Sequence, residues 1–567
     1  MARFVMFASL GSVILFLLTL VVPPSAQAQA NALATPIPGS GHDYIHMLNE
    51  TVDPASGSVS LRMQVPVPPG RGLNLPFAFT YDSNEVHFMK GTGVPGYGGW
   101  STRGGYLASG GWSYSVPMFS NIIFTKTFDG GKYTCTYLTS YVFQDPDGAQ
   151  HMFPMAKVGG AINVCPQSYS SGADPVYQAY GINAPPIVAG PDGTTFQFGN
   201  PSRVGTDNSV SVYLASALED RNGNKITLTD LGSGAFKATD TAGRTAFASS
   251  GFGSTGNTVT VSGFSVPYSL TWGKATSNFS VVATGGPSDT CFLATVENET
   301  QSVVTAITLP NQKQYRFSYD PTYGEVSKIT YPSGGYVSYT WGVNPLSADV
   351  SFGASSGIGS CIYTYGKPAI IDRYVSFDGQ TQALHQHFQY STASDFSSKQ
   401  TIVTTYDLVR GVSYETDYTY TPTQGLRPSY VGGYYDNRIY VEDTVIHKDS
   451  KGATLRTVNK TWRNVYQLQS EQVILDSGQS VQTTFTYDAG DQLHEKDEYD
   501  YGQTSPTRKT IINHQSLLAT PIFPSAPSIL DRPCQMIVYD GNNNAYAETD
   551  YFYDGGSTEL CVAAQVQ

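Results

Sequence analysis

Apolar and polar residues alternate with a period of two through much of this chain, the spacing that sends successive side chains to opposite faces of a pleated strand. In residues 314–320 (QYRFSYD), Tyr315, Phe317 and Tyr319 fall on one face and Arg316 and Ser318 on the other. In residues 481–488 (VQTTFTYD), Val481, Thr483, Phe485 and Tyr487 oppose Gln482, Thr484 and Thr486. Between such runs stand Asp147-Gly148, Asp192-Gly193, Asn222-Gly223, Asp378-Gly379 and Asp540-Gly541, pairs that supply the positive-φ residues of tight hairpin turns. Beyond the first residues no apolar run has helical spacing. The pattern predicts an all-β chain of antiparallel hairpins, one after another.

Only 14% of the residues are charged, while Gly and Tyr are abundant at 57 and 39 residues, a balance suited to sheets joined by turns. The net charge of −13 is interrupted by no Lys/Arg cluster, which argues against nucleic acid and anionic lipid as partners. Arg3 precedes an unbroken apolar run from Phe4 to Val22, followed by Pro23-Pro24 and by Ala26-Gln27-Ala28. This is the layout of a signal peptide, with cleavage expected after Ala28 or Ala30; an uncleaved anchor is the competing reading. No later stretch is apolar enough to cross a bilayer. The expected location is therefore secreted, extracellular or cell-surface, with the periplasm included, and without membrane insertion after signal removal.

In an oxidising compartment the six cysteines, Cys135, Cys165, Cys291, Cys361, Cys534 and Cys561, are disulfide candidates. Their connectivity is open, and pairing of sequence neighbours closes the shortest loops. None forms a CxxC metal pair.

The dipeptide Tyr-Asp recurs at 81, 319, 406, 435, 487, 499, 539 and 553, against about two occurrences expected from composition. Phe79-Thr80-Tyr81-Asp82, Phe317-Ser318-Tyr319-Asp320 and Phe485-Thr486-Tyr487-Asp488 share an aromatic residue two places before the Tyr, and Tyr539-Asp540 closes a further strand. The Tyr ring packs on the sheet, and the Asp carboxylate accepts backbone N–H groups to start a turn.

Residues 315–341 (YRFSYDPTYGEVSKITYPSGGYVSYTW) resemble one full repeat of the YD-repeat, or rearrangement-hotspot, family. Asp220-Arg221-Asn222-Gly223-Asn224, Asp240-Thr241-Ala242-Gly243-Arg244 and the segment from Val52 to Asp82 resemble its other signatures. The resemblance is strongest over 210–345, diffuse after 400 and weak from about 90 to 190. It implies a long curved sheet that spirals into a hollow shell, enclosing a payload in some members and serving adhesion in others. The family's Asp-Pro-x-Gly-Leu core element and a payload region are not found here. A short family member, the first part of a split shell and a degraded copy all fit. The division expected is a signal peptide (1–30), a β-rich amino-terminal region (31–300) and a YD-repeat sheet (301–567).

Isolated chemical motifs have ordinary explanations. Gly353-Ala354-Ser355-Ser356-Gly357 matches a nucleophile elbow but lacks a following helix, and the glycine patterns at 91–96 and 251–256 lack the strand–helix frame of a dinucleotide site. Asp145-Pro146-Asp147-Gly148 reads as a turn, and the acidic cluster from Asp491 to Asp500 as a solvated edge. His385 and His387 project from one face of a strand, a spacing compatible with metal ligation if a neighbouring strand adds a third donor, and equally with an ordinary polar face. Tyr97, Trp100, Tyr106 and Trp112, on a Gly-rich loop from Gly91 to Gly111, are candidates for stacking on sugars or on a partner. The resulting expectation is a non-catalytic scaffold without cofactor or metal that encloses or adheres to a partner polypeptide, cargo or glycan. A carbohydrate-binding or carbohydrate-active protein is the alternative.

Overall fold

The computed structural model describes residues 29–30, 36–37, 45–46, 49–70, 72–91, 97–102, 104–128, 132–147, 150–153, 156–159, 169–170, 178–180, 187–190, 193–200, 202–204, 210–220, 222–278, 292–293, 299–353, 360–424, 438–464, 467–518, 529–552, 561 and 564–565. The signal-peptide segment through residue 28, Cys165, Cys291, Ser355, His42, Tyr435-Asp436 and Tyr553-Asp554 lie outside them, as do the side chains of Tyr97, Trp100 and Cys361. The chain is all-β, as the alternation predicts. Among the described residues the helical content is one 3-10 turn, Ser83–Glu85, and no helix is long and apolar enough to cross a membrane.

Two sheets dominate. The larger has 32 strands and begins at Met118–Phe128. Strand Val210–Glu219 joins its two parts: its first half pairs with Met118–Phe128 and Ser202–Val204, its second with Thr195–Phe198 and Lys225–Gly232. From there the ladder runs antiparallel, neighbour to neighbour, to Ala545–Asp550. Among the described residues no pairing joins the first strand to the last, so the sheet is not closed into a barrel. The smaller sheet has seven strands and is centred on Glu50–Asp53, Ser58–Val65, Phe77–Asp82 and Trp112–Tyr114.

One turn recurs. At Asp220, Asp240, Asp449, Asp488 and Asp540 the carboxylate accepts the N–H groups two and four residues on, at 2.8–3.1 Å. In each, the Asp N–H donates to the carbonyl four residues on, and the residue three places on donates back to the Asp carbonyl. That third residue has positive φ, being Gly223, Gly243, Gly452, Asp491 and Asn543 in turn. Asp540-Gly541 thus does not use its glycine as the pair suggests; Asn543, a residue type that tolerates the left-handed region, takes the role. In the last four of these five hairpins the register slips by one residue just outside the turn. Such bulges add right-handed twist, which bends a growing ladder.

The core lies between the two sheets. The apolar face of the seven-stranded sheet covers one face of the long sheet, with Phe77 against Phe236 and Phe247, Phe79 against Tyr268, and Trp112 against Phe317 at 4.6 Å between ring centroids. The contact continues to Thr401, which donates to the Pro54 carbonyl at 2.7 Å. Gly57 sits at the tip of the turn before Ser58–Val65 with φ +75°, its carbonyl accepting from the Ile370 N–H; a Cβ there would lie 2.4 Å from the Tyr390 hydroxyl. Only glycine satisfies both the conformation and the space.

Among the described residues the contacts with the small sheet reach Thr401, apolar side chains stay buried as far as Val458, and beyond that only Cys534 and Val538 of the apolar residues are buried. Leu468–Leu475, Ser480–Tyr487 and Leu493–Glu498 are partly exposed on both faces, and Ala545–Asp550 is exposed throughout. The Cys534–Cys561 disulfide closes a loop with a sequence separation of 27 in this region, worth about 3.5 kcal/mol in the chain-entropy view. Cys135 is also disulfide-bonded.

Candidate functional site

Strand Ser360–Ser376 carries chemistry on both faces, because neighbouring residues point to opposite sides. Inward, the Arg373 guanidinium donates to a carboxylate oxygen of Glu50 and, at 2.8 Å, to Oε1 of Gln386. Tyr331 donates its hydroxyl to the other Glu50 oxygen at 2.6 Å. The Arg373 and Glu50 side chains are both fully buried. A charge pair in this setting needs each partner, since either alone would be an uncompensated buried charge.

A second inward group involves two of the repeat tyrosines. Tyr81 donates to Glu325 at 2.7 Å and accepts from the Val326 N–H; Trp112 donates its indole N–H to the Tyr319 hydroxyl at 2.8 Å, and Tyr319 donates to the Val304 carbonyl. Burial pushes the Glu325 carboxyl well above its ordinary value, although the Tyr81 hydrogen bond opposes the shift. His87 donates Nε2–H to the Tyr323 carbonyl, and burial lowers its pKa to about 4 against that hydrogen bond. These groups bind the two sheets together.

Outward, the hairpin Ser360–Ser376/Leu384–Thr392 sets Asp372 opposite His387 and Tyr374 opposite His385. Asp372 Oδ1 accepts from His385 Nε2 at 2.8 Å and from His387 Nδ1 at 2.9 Å, while Oδ2 accepts from the Thr340 hydroxyl at 2.7 Å. Burial works against the Asp372 charge, but the hydrogen bonds from His385, His387 and Thr340 win and hold the carboxyl below its ordinary value. The His385 ring is stacked between Tyr374 at 4.4 Å and Tyr406 at 5.1 Å, within 11° and 17° of parallel. The three donor atoms lie within 4.8 Å of one another, on side chains 20–34% exposed. Two imidazoles and a carboxylate at this spacing are a candidate metal centre. The His385/His387 face is as the alternation predicts. Asp372 was missed: counting outward from a two-residue Asp378-Gly379 turn would set it opposite His385, and the longer connection that forms sets it opposite His387.

The remaining sequence candidates are dispersed. Trp112 is 1% exposed, packed on Tyr81 and Phe317, so its expected recognition role is corrected to core packing. Tyr106 is partly buried against the core. The Gly-rich loop is in part strand, at Tyr97–Thr102, Gly104–Gly105 and Ala108–Ser109. Asp82 accepts from the Asn84 N–H, and Asp320 from those of Thr322 and Tyr323. Tyr487 donates to the Leu468 carbonyl at 2.9 Å, and Tyr539 lies at the end of Ile529–Asp540, just before the Asp540 turn. Gly251, Gly253 and Gly256, all at positive φ, belong to the connection between two strands rather than to a nucleotide loop. Asp145 pairs with buried His151, and in the acidic cluster Glu495 pairs with Lys509 and Glu498 with Lys496.

Fold and site together define an all-β protein with one long hairpin sheet, part of which is lined by a smaller amino-terminal sheet. No family model and no curated protein matches the sequence. Among solved structures, the chain is similar to a porin-like protein from Bacteroides uniformis, at 9% identity and a TM-score of 0.16, covering 67% of this chain and 94% of that one. It is also similar to the Tc holotoxin pore of Photorhabdus luminescens, at 10% identity and a TM-score of 0.12, covering 78% of this chain but only 24% of that one.

Proposed function

We propose that the protein is an exported YD-repeat scaffold that acts by holding a partner polypeptide or cargo against its sheet rather than by catalysis. The observation that carries this reading is the contrast along one continuous ladder. The chain fills the inner face from Phe236 to Val403 with its own amino-terminal sheet, while the same hairpin unit continues over Leu468–Asp550 without such a cover among the described residues. Val473, Val481 and Phe485 lie partly exposed there, an apolar surface of the kind partners bury. Tyr487-Asp488 and Tyr539-Asp540 lead two of the recurring turns, and Asp82, Asp320 and Asp407 each accept the N–H two residues on, which supports a structural role for these Tyr-Asp pairs; the amino-terminal export signal supports an extracellular setting.

The test is hydroxyl-radical footprinting of the chain as secreted by its native cells, compared with the same chain purified alone. Protection of Val473, Val481 and Phe485 only in the native material supports the scaffold. Equal labelling in both, with the native material eluting as a single chain, overturns it.

A further inference from the structure

We propose that Asp372, His385 and His387 form a zinc-class binding site on the outer face of the long sheet, with two imidazole nitrogens and one carboxylate oxygen as protein ligands. It stands independently of the scaffold reading.

The donor set selects the cation. Imidazole nitrogen with carboxylate oxygen suits Zn²⁺ and its borderline neighbours, whereas Mg²⁺ and Ca²⁺ favour all-oxygen shells. Three protein ligands leave a fourth tetrahedral position for water, the open arrangement of non-structural zinc sites.

Geometry supplies the second argument. Bond lengths near 2.0–2.1 Å to each donor in a tetrahedron put donor atoms about 3.3 Å apart. The Asp372 carboxylate now stands 2.8 and 2.9 Å from the two ring nitrogens. Separations of roughly half an ångström more, reached by small side-chain rotations, admit the ion. Binding requires the coordinating nitrogen of each ring to give up the proton that now points at Asp372; in a neutral imidazole that proton is relocated to the other ring nitrogen, so each histidine ligates as the neutral ring.

The third argument is preorganisation. Both histidines stand on one strand, two residues apart, and Asp372 on the adjacent strand in register, so backbone hydrogen bonds fix all three Cα positions. Thr340 anchors Asp372 Oδ2, and the Tyr374 and Tyr406 rings confine His385 from both sides. Directly beneath, buried Arg373 and Gln386 tie the same two strands together on the inner face. A polar surface patch needs none of this restraint, and a metal site depends on it. The side chains remain 20–34% exposed, which leaves the ion a path from solvent.

The experiment is isothermal titration of the full secreted chain with zinc sulfate after chelator treatment, alongside His385→Ala, His387→Ala and Asp372→Asn. The wild-type chain is expected to take one Zn²⁺ with micromolar or tighter affinity and to show no comparable heat with Mg²⁺. Each substitution weakens binding at least tenfold while leaving the metal-free melting temperature within a few degrees. Cobalt gives a second readout, a four-coordinate visible absorption present in wild type and absent from the His385→Ala/His387→Ala double variant. Absence of stoichiometric binding, or binding and cobalt absorption that survive the double substitution, overturns the proposal.

Discussion

Strands Gln314–Tyr319 and Ser480–Tyr487 carry nearly the same sequence pattern and meet different fates. Both end in an aromatic–polar–Tyr triplet followed by Asp, and both are hairpin strands of one sheet. Phe317 is buried against Trp112, while Phe485 stays partly exposed, with no second sheet over it among the described residues. The pattern decides which face is apolar. What covers that face is decided more than 200 residues away, by the strands from Glu50 to Tyr114.

The largest expected effect is on the covered side. Arg373→Ala leaves Glu50 as an unpaired buried charge and should lower unfolding free energy by about 3–5 kcal/mol, read from the urea midpoint. Lys509→Ala, removing the partly exposed partner of Glu495 in the uncovered region, should cost less than about 1 kcal/mol. Equal losses would abolish the distinction between the regions. A double Glu50→Gln/Arg373→Met variant should recover much of the Arg373→Ala loss, since both charges are gone.

Aromatic truncation sharpens the same contrast. Phe317→Ala empties a packed site and should cost about 3–5 kcal/mol, whereas Phe485→Ala, at a side chain already partly exposed, should cost less, roughly 1–2 kcal/mol. Binding of a partner to the uncovered face should raise the second value and leave the first unchanged.

How far the sequence reveals the molecule follows from these distances. The strands and Asp-led turns are legible because period-two alternation and turn chemistry are local. The left-handed residue at Asn543 rather than Gly541 is a finer outcome, set by the five-residue length of the turn. Trp112 reads as a loop aromatic because its neighbours are glycines, yet its contacts are to Phe317 and Tyr319, distant in sequence. The candidate metal group was half legible: His385 and His387 share a strand, while Asp372 requires the hairpin register.

Acid titration provides a third comparison, confined to the covered side. His87 has its pKa lowered from 6.5 to about 4 by burial, so the unfolded chain binds its proton first as pH falls. The stability this contributes is present above pH 6.5 and is lost between there and about 4, on the order of 3 kcal/mol. Asp53 runs oppositely: burial raises it to about 6, so its contribution is present below about 3.8 and lost as pH rises to about 6. The wild-type curve therefore partly cancels in this window. His87→Gln keeps an N–H donor for the Tyr323 carbonyl without titrating, so the wild-type-minus-variant difference should rise with pH between 4 and 6.5. A flat difference would remove His87 from the account.

The smallest difference between the two sides should come from the turns. Gly243, in the covered region, and Gly478, in the uncovered one, occupy the same place in five-residue turns with matching backbone hydrogen bonds, at φ +77° and +80°. A Cβ at either would meet nothing within 4 Å, so Gly→Ala tests backbone conformation alone. Each substitution should cost about 1–2 kcal/mol from the left-handed φ, with the two values agreeing within error in chemical denaturation. Gly57→Ala, where the Cβ also strikes Tyr390 and Ala369, should exceed both. Equal costs at 243 and 478 would mean that the turn is a self-contained unit, repeated along the ladder whether or not a second sheet packs beneath it. A markedly smaller cost at 478 would mean instead that the uncovered hairpins are already loosened, and that the strands there depend on a covering layer to hold their register.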